Sequence, residues 1–135
     1  MNSAEAFAAV ALAAVACDGA LGRDEAHALR RQLENRSLYD SCSDTEMGDL
    51  FDRLLTLLRE HGVAGLIDSA VPALNPIQQE SALAVAAHLV HADRKVLPEE
   101  SEFLQRLAVK LNLPAGEAQM IIRSIEALNR DSLDS

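Results

Sequence analysis

A gapless internal match constrains this chain more than any other feature. Residues 9–33, AVALAAVACDGALGRDEAHALRRQL, lie over residues 84–108, AVAAHLVHADRKVLPEESEFLQRLA, at an offset of 75. Eight of the 26 positions from Ala8 to Leu33 are identical, among them Asp18 on Asp93, Glu25 on Glu100, Leu29 on Leu104 and Arg31 on Arg106. Alanine-rich sequences match one another by composition alone, but composition does not supply paired acids, so one supersecondary unit is present twice.

The unit is helical. Asn2 with Glu5, Ser43 with Glu46, and Asn75-Pro76 with Gln78 each pair a capping residue with an acid or amide three positions on that can reach back to it. Apolar residues then recur at helical spacing, as in Leu50, Phe51, Leu54, Leu55 and Leu58, or Ile121, Ile122, Ile125 and Leu128. These signals predict helices near 3–17, 23–36, 44–60, 63–73, 75–92, 98–112 and 115–129. The fold class is therefore all-α: about seven helices in one compact bundle, with a pseudo-two-fold repeat of a helix-turn-helix unit. A single domain is expected over residues 1–135, its repeat halves at about 3–60 and 75–129, with a connector helix at about 63–73. Residues 130–135, RDSLDS, are read as a frayed end.

The opening apolar run, Phe7 to Cys17, has the composition of an export signal, yet MNSAEAF in front of it carries an acid and no Lys or Arg. The run is also too short to span a bilayer, and its second copy marks it as a core helix. With 135 residues, 49% of them hydrophobic, the chain is long enough to bury one core. Twelve basic and 21 acidic residues give a net charge of −9, which argues against nucleic acid and anionic membranes as direct partners and against membrane insertion. Cations and basic surfaces of other proteins suit that charge. Cys17 and Cys42 form no C-x-x-C pair, so a reducing, cytoplasmic setting is the simplest expectation.

In each copy an Asp ends one helix and a Glu follows seven residues later in the first turn of the next. Asp18 with Glu25, and Asp93 with Glu100, are the candidate metal ligands: hard oxygens of the kind Ca²⁺ or Mg²⁺ takes, with Zn²⁺ a further candidate. The competing reading is structural. Glu25 and Glu100 stand three residues after Gly22 and Leu97, where a glutamate closes a helix cap, and Asp18 and Asp93 can accept turn N–H groups. ALGR and RKVL between the acids supply no side-chain oxygens, which tips the balance towards caps. Arg94 and Lys95 replace Gly19 and Ala20 in the second copy, so if only one turn binds, it is the first. His88 and His91, one turn apart before Asp93, can offer two nitrogens to a transition metal, but no third ligand of suitable spacing accompanies them. No G-x-S-x-G, H-E-x-x-H, Walker or G-x-G-x-x-G motif is present, and no enzyme is expected.

AVACDGALGRDEAHAL resembles the A-x-A-D-G, apolar, E-x-x-x-L pattern of the TerB-like family, named for bacterial tellurite resistance, and HADRKVLPEESEFLQRLAVKLNLP is similar to that family's second copy. The resemblance runs from about Ala8 to Leu128. It implies an all-helical bacterial domain with internal two-fold character, associated with tellurite and other stress resistance, found alone or fused to other modules, and suspected of binding metal through its acids. Residue by residue it points to Asp18, Glu25, Asp93 and Glu100. Cys17 stands where the family has Ala, and Arg94 where it has Gly. The expected function is a non-enzymatic stress-linked module that takes a divalent metal in its acidic turns. The alternative is a protein-interaction adapter whose acids are caps; an unidentified protein partner, or a second copy of the chain as a homodimer, is expected in that case.

Overall fold

All three helix starts marked in the sequence form as reciprocal caps. The computed structural model describes residues 1–17, 19, 23–91 and 96–130. In it Asn2 Oδ1 accepts the Glu5 N–H at 2.8 Å, Ser43 Oγ the Glu46 N–H at 3.1 Å, and Asn75 Oδ1 the Gln78 N–H at 2.8 Å. In return Glu5, Glu46 and Gln78 each accept the backbone N–H of the capping residue. The helices are α1 (Ser3–Ala16), α2 (Arg23–Leu33), α3 (Asp44–Ala70), α4 (Pro76–His91), α5 (Pro98–Lys110) and α6 (Glu117–Asn129), with short 3-10 turns at Ser37–Tyr39 and Val71–Ala73. No strand occurs among the described residues.

Among the described residues the segments expected at 44–60 and 63–73 both form, as the two parts of α3, and they meet at a break. Gly62 sits there at φ 72°, ψ −178°, a conformation that side-chain-bearing residues strongly avoid. The second segment ends at Ala70, and Pro72 then turns the chain into the 3-10 piece. Gly116, at φ 85°, sets the start of α6 two residues later than the spacing predicts.

The two copies pack back to back. Every residue of α1 from Ala6 to Ala14 is buried, so α1 has no solvent face and no amphipathic stripe. Its alanines let it lie against α3 on one side and α4 on the other; α4 in turn packs on α6. The contacts of α1 with α2 and α3 thus have counterparts in those of α4 with α5 and α6, the approximate two-fold expected from the repeat. Leu12 and Val10 are wholly enclosed, each stabilising the fold by about 1.5–3 kcal/mol relative to exposure. Two buried polar groups tie the packing. The Tyr39 hydroxyl donates to the Ala4 carbonyl at 2.7 Å, and burial pushes its ionisation well above the usual tyrosine range. Gln79 donates to the Leu74 carbonyl at 3.0 Å and accepts the Asn112 N–H at 2.8 Å, joining the start of α4 to the chain after α5. Among the described residues no helix is long and apolar enough to cross a membrane.

Candidate metal centre

The two glutamates of the acid pairs differ in exposure. Glu100 is the third residue of α5. Its Oε1 accepts the Leu97 N–H at 2.9 Å, its own N–H donates to the Leu97 carbonyl at 3.0 Å, and its side chain is only 8% exposed. Leucine has no side chain that can complete a reciprocal cap, so the glutamate alone satisfies the helix start. Glu25 is the third residue of α2, the equivalent place, and it is exposed. The aspartates expected to pair with Glu25 and Glu100, Asp18 and Asp93, lie outside the described residues. Among those described, no group of three or more His, Cys, Asp and Glu residues converges.

The histidines of α4 do not converge either. His88 Nδ1 faces the Asn129 side-chain nitrogen at 3.2 Å, tying α4 to the end of α6, whereas His91 Nδ1 faces the Ala87 carbonyl one turn back at 2.8 Å. Each ring is turned to its own partner, a hydrogen-bonded helix face. His61 is exposed beside Glu60, and Cys17 Sγ donates to the Ala14 carbonyl at 3.2 Å.

Two clefts border the first turn. One, of about 700 Å³, takes in Ala16 and Gly19, the inner side of α2 and the length of α3 as far as Gly62 and Val63. The other, of about 790 Å³, opens beside Cys17 between the second segment of α3 and α5. Neither was visible in the sequence, because each is enclosed by helices far apart in the chain.

The description "Tellurite resistance protein TerB" belongs to a family model that matches residues 4–121, most of the chain and both acidic turns. The chain belongs to the TerB family. No curated protein and no solved structure matches it. The TerB match runs from the start of α1 into α6, so it takes in the two repeats as one unit.

As a donor set for a hard cation, the TerB turns of this chain are lean. Two carboxylates fall short of the six to eight oxygens that Ca²⁺ takes, so backbone carbonyls and water would have to complete either site. Glu25 is exposed, whereas Glu100 is buried and accepts the Leu97 N–H.

Proposed function

We propose that this TerB-family chain is a non-enzymatic, cytoplasmic helical module of the tellurite-resistance and stress-response kind, and that a divalent cation binds in its first acidic turn through Asp18 and Glu25. What supports this reading is the family match across both acidic turns, together with the exposure of Glu25, which a cation can reach, where Glu100 is buried. The cation, Ca²⁺, Mg²⁺ or Zn²⁺, would draw its remaining ligands from the turn backbone and water. In this reading the second pair, Asp93 and Glu100, takes no cation.

The adapter reading keeps one specific support, the same Leu97 to Glu100 hydrogen bond, which fits acids acting as caps. A melt series on metal-stripped protein separates the two. Addition of Ca²⁺, Mg²⁺ or Zn²⁺ should raise the melting temperature, since a ligand bound only by the native state stabilises it. The shift should vanish in Asp18→Asn and Glu25→Gln and persist in Asp93→Asn. No shift with any ion in the wild type would leave the adapter reading standing and remove the cation from the account.

A further inference from the structure

We draw no further inference here: the strongest candidate, the cleft of about 790 Å³ between the second segment of α3 and α5, is lined by apolar Val63, Ile67 and Phe103, but its cations are already engaged, Arg106 with Glu102 and Lys110 with Asp68, and nothing in the structure shows what covers it.

Discussion

Gly62→Ala tests the kink in α3, and its cost can be worked from the geometry. A methyl group placed on Gly62 meets no atom within 4 Å, so crowding adds nothing and the penalty is that of the backbone at φ 72°, ψ −178°. For a residue other than glycine such a conformation costs about 1–3 kcal/mol. The chain has one way to escape: to straighten, making residue 62 helical and gaining about 1 kcal/mol from alanine's better helix propensity. Straightening would lift Leu66 and Ile67, now 1% and 3% exposed, from the core, at about 1.5–3 kcal/mol each. The loss exceeds the gain, so the kink persists and the variant carries the strain. At about 2.1 cal/mol/K of unfolding entropy per residue, a loss of about 1–3 kcal/mol in 135 residues lowers the melting temperature by roughly 4–10 °C. Scanning calorimetry reads this directly. A melting temperature unchanged or raised would mean that α3 tolerates a straight path through residue 62, and the argument that Leu66 and Ile67 hold the bend would fail.

Three further outcomes are expected. Gln79→Leu removes two hydrogen bonds and strands a buried carbonyl at Leu74, and should destabilise the fold by about 2–4 kcal/mol in urea unfolding; a loss under about 0.5 kcal/mol would show that the bridge to Asn112 is dispensable. Glu100→Ala leaves the Leu97 N–H without its acceptor and should cost about 0.5–2 kcal/mol, while Glu100→Gln, which keeps an oxygen there, should cost less; equal losses would count against the cap. The Glu117 carboxyl is held above its ordinary value of 4.5, chiefly by lost hydration and then by the neighbouring Glu80 carboxylate, which also hydrogen-bonds it. Its stabilising contribution is therefore complete below the ordinary glutamate range and is lost as pH rises through the raised value, so Glu117→Gln should flatten that fall in a pH series of melts. An identical profile in wild type and variant would refute it.

What could be read from the sequence was what depends on neighbours within a turn or on the repeat itself. Asn2, Ser43 and Asn75 announce their helices because a cap and its reciprocal partner are three residues apart. The acid pairs announce the repeat, and with it the central place of α1 and α4. What escaped depends on partners distant in the chain. Nothing near Gln79 in the chain marks it as buried, because its bridge runs from Leu74 to Asn112. His88 and His91, lacking a third ligand of suitable spacing, read as a hydrogen-bonded helix face, and so they are, but that Asn129 would be the partner of one could not be read locally. Gly62 falls in the gap between two expected helices, and a break does stand there, yet nothing local says that its φ would be positive. Glu25 and Glu100 are alike in sequence and differ in exposure, which no local pattern announces.

The burial of α1 on every side has a consequence for how the molecule comes apart. In stacked repeat proteins each unit contacts its neighbour through one face, and an end unit can detach while the rest remains. Here α1 is enclosed by helices of both copies, so parting the copies strips it of α4 and uncovers its alanine face along its length. Neither copy retains a closed core, and no half-folded state is available at low cost. Amide protons in the middle of α1 therefore exchange only through global opening, with protection equal to that of the whole fold. A chain cut between α3 and α4 should regain its structure only when the two pieces are mixed.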